Sequence, residues 1–139
     1  TARFERNVKK TVEFTKALTG FRDVCDNDQI ALVKYGAIDV INLRSVSYWD
    51  NENDCWNVSL DNDNIVKLPL SVFNITTHTP MYSAFKMYFQ YMCAEWDTDP
   101  IIVDLLSAIV IFNPNRPGLT HKDVVKFQQK TYMYLLQRY

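Results

Sequence analysis

Histidine, glycine and proline are all scarce in this chain of 139 residues, which has two, three and five of them. So few breakers exclude a collagen-like or low-complexity chain and leave room for long helices. The histidines, His78 and His121, stand far apart, and neither belongs to a metal-ligand spacing such as HExxH. A GxSxG elbow, a phosphate-binding glycine loop and a CxxC pair are also missing, so no pattern supports an enzyme active site. The cysteines Cys25, Cys55 and Cys93 are odd in number and widely spaced, which argues against a disulfide framework or a zinc site. They fit a reduced compartment and read as small buried apolar groups. Net charge is lacking too: 15 basic and 16 acidic residues give -1, with no footprint for nucleic acid or a membrane surface. The longest apolar run, Ile101 to Phe112, is interrupted by Asp104 and falls far short of the roughly 20 residues of a membrane span. Thr1 to Lys10 is charged throughout and has no signal-peptide core.

What is present is apolar and aromatic. Hydrophobic residues make up 47% of the chain and aromatics 14%, a globular composition of a length that suits one domain. Phe4, Val8, Thr11, Thr15 and Leu18 recur at helical spacing, predicting a helix from near Thr1 to about Leu18. Gly20 suits a left-handed cap, and Phe21 can fold back on the last turn. Asp26, Asn27 and Asp28 offer N-cap side chains to a second helix, apolar on nearly every side from Ile30 to Val46 and therefore expected between layers. Lys34, Asp39 and Arg44 within that run need partners, because an unpaired buried charge is costly.

Cys55 to Leu60 and Ile65 to Leu68 predict a β-hairpin joined by Asp61 to Asn64. Leu68 to Ile75 predicts a short helix, and Thr76 to Pro80 a loop. Tyr82, Phe85, Phe89, Met92 and Trp96 mark an amphipathic helix. Asp97 to Pro100 caps an apolar interior helix over Ile101 to Phe112, and Asn113 to Gly118 forms a proline-stiffened loop. Thr120 to Tyr139 predicts a long helix with Val124, Gln128, Thr131, Leu135 and Tyr139 along one side. The pairs Asp61/Asp63 and Asp97/Asp99 read as turn and cap residues. Apolar helices flanked by amphipathic ones suggest a three-layer stack, an arrangement that can leave an apolar cavity at one end.

The run from Val12 to Phe21, VEFTKALTGF, followed by Asp28 to Lys34, DQIALVK, closely resembles the signature of nuclear-receptor ligand-binding domains. That family pattern is roughly F-A-K-x-x-x-G-F, a short gap, then D-Q-x-x-L-L-K, with Thr15 and Val33 as mild departures here. A second match, Ala108 to Leu119, resembles the end of the family's eighth helix and its following loop. The resemblance implies an all-α fold, a three-layer antiparallel α-helical sandwich with a small β-hairpin. It covers essentially the whole chain. Residues 1–139 are expected to be a partial ligand-binding domain, from about the family's third helix to its ninth, lacking the N-terminal and the final C-terminal helices. Ile38 to Ser45, with Trp56 twelve residues after Arg44, is similar to the vitamin D receptor-like group and its invertebrate sterol- and xenobiotic-sensing relatives. Retinoid-related orphan receptors are the near rival.

The resemblance implies roles residue by residue. Arg44 would hydrogen-bond a polar end of a ligand, Trp56 would cover the ligand's body and His78 would meet its other end. Phe4, Asn7, Val8 and Thr11 would line the same pocket. Lys16 and Lys34 would border a coactivator groove floored by Val12, Ile30 and Val33, with Gln29 at its rim and one lysine capping a bound LxxLL helix. Asp39 and Arg116 occupy the positions of an acid and a loop arginine that pair in the heterodimerising class, with Asp in place of the more usual Glu. Implied partners are a retinoid X receptor-type subunit and LxxLL coactivator or corepressor peptides. DNA would be met only through a separate domain, in the nucleus, and no membrane is involved. No catalytic residue, metal or cofactor is expected beyond a lipophilic ligand, possibly a sterol. Two other readings stay open: a ligand-independent docking and dimerisation module, and a helical enzyme or haem sensor using His78, His121 or a cysteine as axial ligand.

Overall fold

The computed structural model describes residues 2–60, 63–75, 81–95 and 99–139. Those residues fall into two compact units, Thr1–Arg44 with Pro100–Tyr139, and Ser45–Asp99. The first unit holds helices α1 (Ala2–Ala17), α2 (Asp26–Arg44), α4 (Pro100–Ile111) and α5 (Lys122–Arg138). Strands β1 (Trp49–Asp50), β2 (Cys55–Ser59) and β3 (Ile65–Pro69) and helix α3 (Met81–Glu95) belong to the second. The fold class is an α-helical sandwich with a small antiparallel sheet.

In the first unit α1 packs on α2, α2 on α4, and α4 on α5. The inner face of α1 carries Thr11 and Thr15, both buried. Their hydroxyls donate to the carbonyls of Asn7 (2.9 Å) and Thr11 (2.7 Å), which lets polar side chains sit inside at little cost. As anticipated, the helix stops at a left-handed glycine, Gly20 at φ +91°, where a Cβ would collide with the Gln128 side chain. Phe21 then turns inward and joins Leu32, Val40, Ile111, Phe112, Val125 and Tyr132 in the core.

Several sequence expectations need correcting. Helix α2 opens earlier than expected, with the amide of Gln29 donating to the carbonyl of Cys25 (2.9 Å), and Ser45–Tyr48 leaves it as a tight 3-10 turn. It is not buried all round, since Ile30, Tyr35 and Ile38 are exposed. The inward face of α5 is Val125, Gln128 and Tyr132, whereas Thr131, Leu135 and Tyr139 point to solvent. Apolar residues surround α5, so periodicity alone leaves its rotation open. Tertiary contacts set it: Tyr132 stacks on Phe112 (5.6 Å between ring centroids) and donates its hydroxyl to the carbonyl of Thr19 (2.8 Å).

Asp28 also departs from expectation. Rather than capping its own helix, its fully buried carboxylate reaches the segment that leads into α5. Oδ1 accepts from the Thr120 amide (2.7 Å), the Thr120 hydroxyl (2.8 Å) and Asn27 Nδ2 (3.0 Å), and Oδ2 accepts from the His121 amide (2.8 Å). Asn27 further donates to the carbonyl of Gly118 (3.1 Å).

In the second unit the sheet order is β1-β2-β3, all antiparallel, with Trp49 opposite Trp56 and Trp56 opposite Leu68. The expected hairpin is therefore edged by a third strand, too short for alternation to reveal. The turn before β2 is held by Asp50, whose carboxylate accepts from the amides of Glu52 and Asn53. Leu70–Ile75 is a 3-10 segment. Asp61, Asn62, the loop 76–80 with His78, and Trp96, Asp97 and Thr98 lie outside the described residues.

Burial by itself pushes the Asp28 carboxyl up, but the hydrogen bonds outweigh it and hold the group well below the usual carboxylate range. A depressed folded-state value adds stability that is complete above the unfolded-chain value near ~4 and is lost as the pH falls through the folded one. Asp28→Ala is expected to cost about 2–4 kcal/mol. In urea titrations, wild type should lose more stability than Asp28→Asn between pH 7 and pH 3. Equal losses would show that the carboxylate's charge is not the stabilising feature.

Candidate functional site

Arg44 is the last residue of α2, and one of its nitrogens makes two contacts on α4. Nη1 donates to Asp104 Oδ1 at 2.7 Å and to Ser107 Oγ at 3.3 Å. Ser107 is fully buried and gives its own hydrogen to the Val103 carbonyl (2.7 Å), so towards Arg44 it acts as acceptor. The guanidinium also lies over the Phe14 ring, 4.8 Å from its centroid. The Arg44 and Asp104 side chains keep 39% and 49% of their surface exposed, so this ion pair still meets solvent. Asp104 interrupts the apolar run of α4 in the sequence, and its role as counter-ion is visible only once α2 and α4 pack.

The other ligand-lining candidates on α1 sit in varied surroundings. Phe4 is exposed, Asn7 and Val8 are half-buried, and Thr11 is buried with its hydroxyl bonded to the helix backbone. Trp56, in the second unit, is buried and donates its indole N–H to Ser45 Oγ (3.2 Å). Trp49 and Phe89 meet it edge-on at centroid distances of 5.1 and 5.5 Å, and Trp49 stacks on Phe89 at 4.3 Å. Nearby, the Tyr88 hydroxyl has no hydrogen-bond partner among the described residues, and burial pushes it up to about 12. His78 lies outside the described residues.

The groove candidates lie on α1 and α2. Val12 and Lys16 are one turn apart on α1, and Ile30 and Lys34 are one turn apart on α2, so each pair shares a helix face. Both lysines are exposed, Val12 and Val33 are half-buried, and Ile30 leaves 68% of its surface in solvent. Gln29 is tied down by its side-chain amide, which donates to the carbonyls of Phe21 (3.1 Å) and Val24 (2.8 Å). That anchors the 3-10 turn Phe21–Asp23, between the two helices, against the start of α2.

Asp39 and Arg116 are brought together, with Nη2 donating to Asp39 Oδ2 at 2.7 Å and to the Val110 carbonyl at 3.4 Å. Arg116 is 15% exposed and Asp39 51%, which places the arginine inside and the acid at the rim. The buried Arg116 Nε has no hydrogen-bond partner among the described residues, so the pair carries a desolvation cost. Among the described residues, no cluster of three or more His, Cys, Asp or Glu could hold a metal, and no helix is long and apolar enough to cross a membrane. Arg116→Met should destabilise by about 1–3 kcal/mol, because it leaves an acid and a carbonyl without their donor. A double-mutant cycle with Asp39→Ala should return a coupling of about 0.5–1 kcal/mol, the acid being half-exposed. Strictly additive losses in that cycle would mean that the ion pair contributes nothing.

No family model matches the chain. Individual relatives do. Over 132 residues, 95% of the chain, it is 30% identical to nuclear hormone receptor HR96 of Drosophila melanogaster. Over 133 residues, 96% of the chain, it is 32% identical to the vitamin D3 receptor of Gallus gallus and 31% identical to that of Xenopus laevis. The chain spans 18% of the first relative's length, 29% of the second's and 31% of the third's. Over nearly its whole length the chain is thus similar to a segment of nuclear hormone receptors, those of the vitamin D receptor group among them.

Proposed function

We propose that this chain is part of a ligand-regulated transcription factor, working in the nucleus, that docks LxxLL coregulators on the α1/α2 face and binds a lipophilic, sterol-like ligand. The observation that carries the docking half is the solvent-facing Ile30, one turn from Lys34 on a helix packed against the α1 of Val12 and Lys16. An amphipathic LxxLL helix needs an apolar floor for its leucines and a cation near its C-terminal carbonyls, and these residues supply both. The ligand half rests on the relatives, among them receptors named for vitamin D3, and on the resemblance that assigns a ligand's polar end to Arg44. Phe4, Asn7, Val8, Thr11, Trp56 and His78 are proposed as further ligand contacts. Asp39 and Arg116 support heterodimerisation with a retinoid X receptor-type partner, and DNA would be contacted through another domain.

A second reading, a docking and dimerisation module that needs no ligand, is favoured by one observation. Arg44 is already paired with Asp104 and Ser107, so no ligand is required to satisfy it.

Fluorescence anisotropy with a labelled LxxLL peptide tests the docking face. Ile30→Asp and Lys34→Ala should each weaken binding roughly fivefold to tenfold, and an AxxAA peptide should not bind. Unchanged affinity in both variants would remove the groove. Thermal unfolding with a panel of sterols separates the two readings, since a ligand at about 100 times its Kd adds about 2.7 kcal/mol to the native state. A sterol that raises Tm by several degrees favours the ligand-regulated reading; a flat panel, with native mass spectra free of bound lipid, favours the module without one.

A further inference from the structure

We infer that Asp104 is a specificity-determining residue, one that makes the Arg44 site select a neutral, hydroxyl-ended lipophilic ligand over a carboxylate-ended one. This inference rests on the reading that a ligand's polar end meets Arg44. Its grounds are the charge and the hydrogen-bonding capacity of the cluster formed by α2, α4 and Phe14.

An isolated arginine at the end of a ligand site would attract an acid, because the guanidinium fork matches a carboxylate bidentately. Here the charge is already countered. Asp104 Oδ1 lies 2.7 Å from Arg44 Nη1, and the Ser107 hydroxyl, held by the Val103 carbonyl, presents a lone pair to the same nitrogen. The Phe14 ring covers a face of the guanidinium. A carboxylate arriving at this pair would bring a second anion close to Asp104 and would have to displace it or share its cation. With both side chains less than half exposed or nearly so, that repulsion is only partly screened.

A ligand hydroxyl meets no such barrier. It is both donor and acceptor, so it can accept from the guanidinium while giving its hydrogen to the Asp104 carboxylate. The pair as it stands thus complements an alcohol and opposes an acid, and the opposing element lies in Asp104 rather than in Arg44. Asparagine at 104 would keep the acceptor oxygen for Arg44 and remove the negative charge, leaving a net cation at the site.

Matched probes isolate the end group: oleyl alcohol against oleate, and cholanol against cholanic acid, each titrated into the full chain with thermal unfolding and intrinsic tryptophan fluorescence as readouts. Wild type should bind the alcohol of a pair more tightly than the acid. Asp104→Asn should tighten binding of the acid roughly tenfold, as expected for removing one partly screened like charge, with little change for the alcohol. Asp104→Glu should keep the wild-type order. An acid bound by wild type as well as its alcohol, or an acid-to-alcohol ratio untouched by Asp104→Asn, would overturn the role of Asp104 while leaving the ligand reading standing. If neither member of either pair binds wild type or Asp104→Asn, the ligand reading itself falls and this inference falls with it.

Discussion

A carboxylate with no exposed surface, at Asp28, ties the first turn of α2 to the backbone that leads into α5. Taking an anion out of water is expensive, and it is tolerated here because two backbone amides, a hydroxyl and an amide side chain converge on it. Those contacts join residues more than ninety positions apart and secure the start of α5 against α2. The stacking of Phe112 on Tyr132 and the seating of Gln128 beneath Gly20 follow from the position that α5 then takes.

The remaining charges of α2 are handled differently. Arg44 and Asp39 stay at the edge of the packed layer, each joined to an opposite charge from α4 or the loop after it, and each retaining contact with water. Such pairs cost less to desolvate than a fully buried one and contribute correspondingly little to stability. Arg44 and Asp39 place two defined ion pairs along α2, one at its last residue and one at mid-helix.

The two faces of α2 differ in burial. Leu32, Val40 and Leu43 face the interior, while Ile30 and Lys34 face solvent. Ile30 leaves 68% of its surface in solvent, and the proposed docking of a partner helix rests on it. In the second unit the rings of Trp49, Trp56 and Phe89 make a dense aromatic core beneath the small sheet.

Read without coordinates, the residues determined the helical class, the Gly20 stop and the β2/β3 hairpin, and the family resemblance implied the pairing of Asp39 with Arg116. These features depend on local periodicity, on turn chemistry or on a long fixed-spacing signature, all of which a linear sequence carries. Tertiary structure alone decided the rotation of α5, the third strand, the reach of Asp28 to Thr120 and His121, and the capture of Arg44 by Asp104. Each of these is a choice among several apolar faces or several possible polar partners. Such a choice is made by whichever long-range contact best satisfies a buried group, and spacing along the chain does not encode it.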